Sequence, residues 1–500
     1  MSRRVFGDIL FALLTKSAYT GTVSFLHTPK TTERSSQHVR IQFLGATGTV
    51  TGSKFHLTDG THSWLIDCGL FQGLRDLKRR NWQALPIDER ALEAVILTHA
   101  HIDHSGYLPV LTKNGFTGSI LASEPSVELC KILLPDAGYL QEEDAKFASK
   151  KGFSRHKQPI PLYTYEDAIK TLQQLKVVPD KEWHQLSDNV RMMLRPSGHI
   201  LGSRFINISI KEGYHHYNVM FAGDIGRYDS LLTSDPGAVK SVNYLVLEST
   251  YGNKEHIAEN VFDRFEKIIN ETISRGGKVI IPAFAVNRTQ EVLYILQELE
   301  KAGRLPDVPI YLNSPLAIDA TAIYMNYLDE HDFFKNGSNG NLTEAAFHPS
   351  RLKQIHESED SKKLNYLEEP AIILSSSGML TGGRILHHLK AYLPDKLSTI
   401  VLTGFQAMGT KGRMLLDGIK SLNIHGSSVP VKAQLEHIES LSAHGDYKDI
   451  MRWLKGFRQP PKTTFLVHGE PESAQALKER IERELNWHVE IPKYMQKVEL

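Results

Sequence analysis

Ala94-Val95-Ile96-Leu97-Thr98-His99-Ala100-His101-Ile102-Asp103-His104-Ser105-Gly106 is the stretch on which the reading of this chain turns. It opens as a short apolar run, the pattern of a buried strand. Four metal-competent side chains, His99, His101, Asp103 and His104, then follow within six positions. Coming off a strand, His99 and His101 can point the same way. The turn that follows carries Asp103 and His104 to the start of a new helix, so one loop offers two ligands to each of two ions. One histidine alone reads more economically as a hydrogen-bonded surface or core residue. Four ligand types after one buried strand do not.

The same design recurs along the chain. Trp64 to Ile66 runs into Asp67, Val219 to Ala222 into Gly223 and Asp224, Tyr244 to Leu247 into Glu248, and Thr464 to Val467 into His468. His199 stands in Ser197-Gly198-His199-Ile200-Leu201-Gly202-Ser203, where glycines let the backbone approach an ion. Polar side chains at strand ends are where α/β sheets and sandwiches build their sites. Taken singly, Gly198 also fits a plain turn and Asp224 a helix cap.

From about Asn253 to Glu439 the text becomes more regular. A helix from Asn260 places Val261, Phe265, Ile268, Ile269 and Ile273 at helical spacing and stops at Gly276 and Gly277. The strand Val279 to Ile281 follows, then a helix with Val292, Leu293, Leu296 and Leu299 on one face, then strands at Ile310 to Leu312, Ile372 to Leu374 and Ile400 to Leu402. Alternating helices and apolar strands predict a doubly wound parallel sheet. Metal-competent residues return afterwards at His444 and His468, so this block reads as an insertion into the first domain. The polar stretch from Lys335 to Lys363 reads as loops with a surface helix, and His387 and His388 as structural residues of a helix.

At 500 residues, with 41% hydrophobic and 23% charged, the chain can bury a sizeable core and should form more than one domain. Lys and Arg number 58 against 57 Asp and Glu, so a net charge of +1 supplies no global field for a polyanion, and any nucleic-acid grip must be local. Cys68 and Cys130 are too few for a disulfide framework or a thiolate metal site, which points to a reducing, cytoplasmic setting. No run of about 18 apolar residues suggests a membrane span. Residues 1–38 read as a flexible extension, since Asp8 interrupts the apolar run Val5 to Leu14 and no small-residue cleavage site follows.

Asp67, the His99 to His104 cluster, His199 and Asp224, in this order, resemble the metallo-β-lactamase superfamily. Glu248 in Leu247-Glu248-Ser249-Thr250-Tyr251-Gly252, His444 in Ser442-Ala443-His444-Gly445-Asp446, and His468 are similar to the three further motifs of its β-CASP nuclease branch. The likeness covers Val39 to the C-terminus and is nearest to bacterial and archaeal relatives of the nuclease subunit of the cleavage and polyadenylation machinery. It implies an α/β architecture: a four-layer αβ/βα sandwich (39–252 and 440–500) with an inserted doubly wound β-CASP domain (253–439).

The resemblance further implies two zinc ions per chain. His99, His101 and His199 would hold one and Asp103, His104 and His468 the other, with Asp224 bridging and Asp67 behind them fixing the tautomer of a ligand histidine. Imidazole and carboxylate suit zinc, and positions stay open for water that becomes hydroxide near neutral pH and attacks phosphorus in line. The leaving ribose 3′-oxygen needs a proton. His444 is the candidate acid and Glu248 its holder; Asp103 is counted with them among the catalytic residues. Ser376, Ser377 and Gly378 follow a strand and would present N–H groups and hydroxyls to phosphates, with Arg384, Lys411 and Arg413 as the local basic patch. The implied activity is that of a zinc-dependent ribonuclease acting on single-stranded RNA in processing or decay, a homodimer being allowed. A DNA-processing β-CASP nuclease, which usually has an apolar residue at the last motif, and a non-catalytic RNA-binding scaffold are the alternatives.

Overall fold

Alternation in the first strands sets the layers. In Arg40–Phe43 and Ser63–Ile66, Ile41, Phe43, Trp64 and Ile66 enter one core and Leu65 another, as the two-residue period of a strand requires. The computed structural model describes residues 39–151, 159–331 and 346–500. The extension expected at residues 1–38 lies outside them, as does part of the polar stretch beginning at Lys335.

Seven strands form the first sheet in the order Lys497–Glu499, Arg40–Phe43, Phe55–Thr58, Ser63–Ile66, Ala94–Ile96, Ser119–Ala122, Leu175–Val177. A second seven-stranded sheet runs Val489–Glu490, Thr463–Val467, Tyr244–Glu248, His215–Phe221, Arg204–Glu212, Val190–Pro196, His184–Ser187. Their inner faces meet through aromatic pairs, Phe43 with Phe465 at 5.3 Å and Phe55 with Phe221 at 5.8 Å between ring centroids. Each such side chain, fully buried, contributes about 1.5–3 kcal/mol. The outer face of the second sheet packs Leu245, Leu247 and Leu466 under Ile450, Trp453 and Leu454 of helix Tyr447–Leu454 and Leu477 of helix Pro471–Leu485. On the outer face of the first, Leu65, Val95 and Ile120 lie in one core with Leu108 and Leu111 of helix Leu108–Lys113 and Leu129, Leu133 and Leu134 of helix Glu124–Lys151. Helix, sheet, sheet and helix make the expected four layers.

The third sheet has six strands in the order Leu352–Gln354, Ile310–Leu312, Ile372–Ser375, Val279–Pro282, Thr399–Thr403, Gln434–Ile438, and every pair is parallel. The helix expected from Asn260 is Val261–Ser274, and the Asn260 side chain caps it by accepting from Phe262 N and Asp263 N. The polar stretch holds its surface helix at Ser358–Lys363 but also the edge strand Leu352–Gln354. That strand escapes a reading by apolar runs because Lys353 and Gln354 are exposed at the sheet margin. Among the described residues, no helix is long and apolar enough to cross a membrane.

Two features of this fold aim the strand ends. Thr463–Val467 lies parallel to Tyr244–Glu248 with Val467 opposite Glu248, so the chain emerges with Ser249 N donating to His468 O at 3.2 Å. The segment after Ser63–Ile66 clamps the histidine loop: Cys68 N donates to His104 O at 2.7 Å and Leu70 N to Ile102 O at 2.9 Å. Gly69 sits between those bonds, and a Cβ there would fall 1.6 Å from Asp103 O. Gly69→Ala is therefore expected to destabilise the fold by about 1–3 kcal/mol, read as a lowered midpoint in urea unfolding. An unchanged midpoint would mean that the loop is not locked against this segment.

Candidate metal centre

The loop after Ala94–Ile96 delivers His99, His101, Asp103 and His104 to a single buried pocket, and other strand ends and loops deliver one group each. His99 Nε2 lies 3.1 Å from His101 Nδ1, and His199 Nε2 lies 3.2 Å from the same atom. Asp224 Oδ2 stands 3.5 Å from His99 Nε2 and 3.3 Å from His199 Nε2. A second group forms beside it: His104 Nε2 is 3.3 Å from His468 Nε2, Asp103 Oδ2 is 3.4 Å from His468 Nε2, and Asp224 Oδ1 is 3.4 Å from His104 Nε2. The two oxygens of Asp224 thus face the two groups separately. Donors on a tetrahedral zinc at about 2.0–2.1 Å stand about 3.3 Å from one another, which matches both sets.

The donor chemistry passes the same test. Asp224 Oδ1 is buried and accepts no hydrogen bond, a costly state for a carboxylate unless a cation completes it. Burial drives the pKa of His99 and His199 well below the ordinary histidine value, and burial likewise lowers His101 to about 4. All three therefore keep a free electron pair at neutral pH. Burial disfavours charge on His104 too, but Asp224 and Asp67 together hold its pKa well above the usual value. Asp224 is buried as well, yet the neighbouring His468, His104 and His444 keep it ionised far below the normal carboxylate range.

Behind these groups stands a ring of fixed partners. His104 Nδ1 donates to Asp67 Oδ2 at 2.7 Å, while Ser53 Oγ and Thr98 N donate to the two Asp67 oxygens at 3.1 and 2.8 Å. The Thr98 hydroxyl lies 2.9 Å from Asp67 Oδ2 and 3.0 Å from His99 Nδ1. Nothing in the spacing of the sequence had marked Thr98, although it directly precedes the cluster.

His444 joins the pocket without joining either donor set. Its Nδ1 lies 3.0 Å from Glu248 Oε2 and 3.2 Å from Oε1, and its ring centroid is 4.5 Å from that of His199. Gly445 N donates to Ile225 O at 2.8 Å, and Ile225 N donates to Glu248 Oε1 at 2.7 Å. The His444 turn is thus mounted on the loop that carries Asp224. Burial opposes protonation here, but Glu248, then Asp224, raise the His444 pKa to about 9.

His101, Asp103, His199, Asp224, His444 and His468 line the floor of a cavity of ≈ 1250 Å³. Ser376, Ser377 and Arg384 line it, as expected. Ser377 Oγ accepts from Thr381 N at 3.0 Å, and Arg384 is bound to Asn313 Oδ1 and to the carbonyls of Ile355 and His356. Gly378 instead packs against Phe284. Lys411 and Arg413 stand on helix Lys411–Leu416 and are not lining residues, but Lys411 lies close to Lys78 and Asp144 of the lining, and Arg413 pairs with Asp417. The cavity takes its other cations from Lys78, Arg288 and Lys390, and exposed Trp82 and Tyr139 add rings. The basic run Arg75 to Arg80 was the available signal for Lys78. His388 is buried against Asn313, as a structural histidine should be, whereas His387 is exposed and lines the cavity.

Three family models match: "Metallo-beta-lactamase superfamily" over residues 55–275, "Beta-Casp domain" over 289–415, and "Zn-dependent metallo-hydrolase RNA specificity domain" over 428–492. Ribonuclease TTHA0252 of Thermus thermophilus is 34% identical over 446 residues, covering 88% of this chain and 95% of its own. Transcription termination factor FttA of Methanocaldococcus jannaschii is 31% identical, covering 87% of this chain and 68% of its own. A crystal structure of a protein of unknown function from Enterococcus faecalis V583 shares the fold, with a TM-score of 0.51 at 11% identity over 93% of this chain and 100% of that one.

The split of Asp224 between two donor sets has a measurable consequence. Asp224→Ala is expected to empty both sets, whereas His468→Ala leaves one ion bound. Elemental analysis after gel filtration reads this directly; equal metal loss in the two variants would contradict separate sets.

Proposed function

The chain belongs to the β-CASP branch of the metallo-β-lactamase superfamily, and from that footing we propose that it is a zinc-dependent ribonuclease hydrolysing RNA phosphodiester bonds. One observation carries the reading: His444, held from behind by the buried Glu248, stands beside the shared Asp224 carboxylate at the floor of the cavity. In this reading residues 39–252 and 440–500 form the metallo-β-lactamase domain and residues 253–439 the inserted β-CASP domain.

His99, His101 and His199 would hold one zinc and Asp103, His104 and His468 a second, with one oxygen of Asp224 available to each set. Ions held so supply Lewis acidity and hydrolytic water at neutral pH. The chain's own residues do the rest. Asp67 fixes His104 with Nδ1 protonated, which leaves Nε2 as the donor atom. Glu248 accepts a hydrogen bond from the Nδ1–H of His444, so Nε2 is the nitrogen left to meet the substrate. The Glu248 carboxylate favours the protonated form of His444, which can give its Nε2 proton to the departing ribose 3′-oxygen.

Phosphates along the strand meet Ser376, Ser377 and Arg384 on the inserted domain. Lys78 and Lys390 line the cavity and add to the cations expected at Lys411 and Arg413, of which Lys411 lies close to Lys78. A cleft lined by few cations and several exposed rings suits a single strand, whose phosphates need neutralising and whose bases can stack. Every donor position is filled, which speaks against the scaffold reading.

His444→Ala should lose RNA cleavage by about 10² to 10⁴ while keeping its metals and RNA affinity. A substrate with sulfur at the scissile 3′ position needs little protonation and should restore much of the variant's rate, with the metal varied as a control. An equal deficit on oxygen and sulfur substrates, or loss of zinc, would overturn the assignment of His444 as the acid.

A further inference from the structure

Thr250 places one buried hydroxyl between the two halves of the site. It is 4% exposed, and it stands two residues beyond Glu248, where the chain leaves the strand Tyr244–Glu248. The parallel neighbour Thr463–Val467 ends opposite, so His468 comes out alongside it. Thr250 Oγ1 lies 2.5 Å from Glu248 Oε2, 3.1 Å from His468 Nδ1 and 3.0 Å from His468 O.

A hydroxyl has one proton to give and two electron pairs to offer. The shortest contact, to a carboxylate, takes the proton, because charge-assisted bonds are the stronger ones. The contact with His468 Nδ1 must then run the other way, with the imidazole bringing the hydrogen. That choice leaves Nε2 bare, 3.3 Å from His104 Nε2 and 3.4 Å from Asp103 Oδ2. A competing arrangement exists on geometry alone, since Asp224, Glu248 and His468 also converge closely enough to hold an ion. There Nδ1 of His468, 3.6 Å from Asp224 Oδ1, would have to be the bare nitrogen.

We infer that Thr250 is a positioning residue that fixes His468 as its Nδ1–H tautomer, directs Nε2 to the second ion, and anchors Glu248 against His444 through the same hydroxyl. The inference rests on the two-ion ribonuclease reading. Thr98 repeats the construction on the other side of the site, donating to Asp67 and accepting from His99 Nδ1. In both places a carboxylate, a threonine hydroxyl and a histidine stand in a row, so the orientation of each imidazole is set before any ion arrives.

The test compares T250V, which keeps the shape and deletes the hydroxyl, with T250S, which keeps the hydroxyl and deletes the methyl. Zinc-loaded proteins are titrated with a chelator, and zinc retained per chain is measured alongside circular dichroism. T250V should release one of its ions at about 10- to 100-fold lower chelator, while T250S returns to wild-type resistance. If T250V does not fold, T250A carries the same comparison with T250S. Wild-type resistance in T250V or T250A overturns the inference, and so does a folded T250S that releases zinc as early as T250V. RNA cleavage by the wild-type protein is followed in parallel. A wild type that holds two zinc ions yet cuts no RNA fails the ribonuclease reading, whereas the zinc release alone decides Thr250.

Discussion

A carboxylate buried among imidazoles governs this structure. Asp224 is 2% exposed, and one of its oxygens accepts no hydrogen bond from the protein. Taking an ionised carboxylate out of water costs several kcal/mol unless matching positive charge lies close by. Six histidines crowd around it, but burial keeps His99, His101 and His199 neutral, so they answer the carboxylate with electron pairs rather than with charge. Bound cations reconcile the two, and the rest of the site can be understood as the means of holding donor atoms apart at the right spacing until those cations arrive.

That requirement explains the long detours of the chain. No single segment supplies a complete donor set. The histidine loop gives four groups after Ala94–Ile96, yet His199, Asp224 and His468 come from separate connections. Thr463–Val467 stands one strand from the edge of the second sheet, beside Tyr244–Glu248, and it follows the inserted block in the chain, so the last donor joins only after that whole block has been traversed. The Glu248–His444 pair spans that same interval, so this pair and the second donor set are completed by the same return of the chain. Cavity walls are shared in the same way, with Lys78 and Trp82 on one side and Ser376, Arg384 and Lys390 on the other.

How much of this was legible from the sequence follows from locality. Strands ending in Asp67, His99, Asp224, Glu248 and His468 were readable because apolar runs with a terminal polar residue are a local pattern. The parallel character of the third sheet was readable from its helix-strand rhythm, apart from the two edge strands Leu352–Gln354 and Gln434–Ile438, whose polar, partly exposed residues hide them. The wall of the cavity was not readable. Lys411 and Arg413 follow a glycine turn as Arg384 does, yet only Arg384 is among the lining residues, and Lys78 reaches the lining from far away in the chain. The roles of Thr98 and Thr250 were hidden for a related reason. A threonine beside a ligand is chemically unremarked until the fold shows which carboxylate and which ring nitrogen it touches.

The most direct test of paired cations around Asp224 is anomalous X-ray scattering at the zinc edge from crystals of the zinc-loaded protein. Two peaks are expected about 3.5–4 Å apart, one among His99, His101 and His199, the other among Asp103, His104 and Nε2 of His468, with Asp224 touching both. A single peak, or a second peak seated between Glu248 and Nδ1 of His468, would contradict the arrangement.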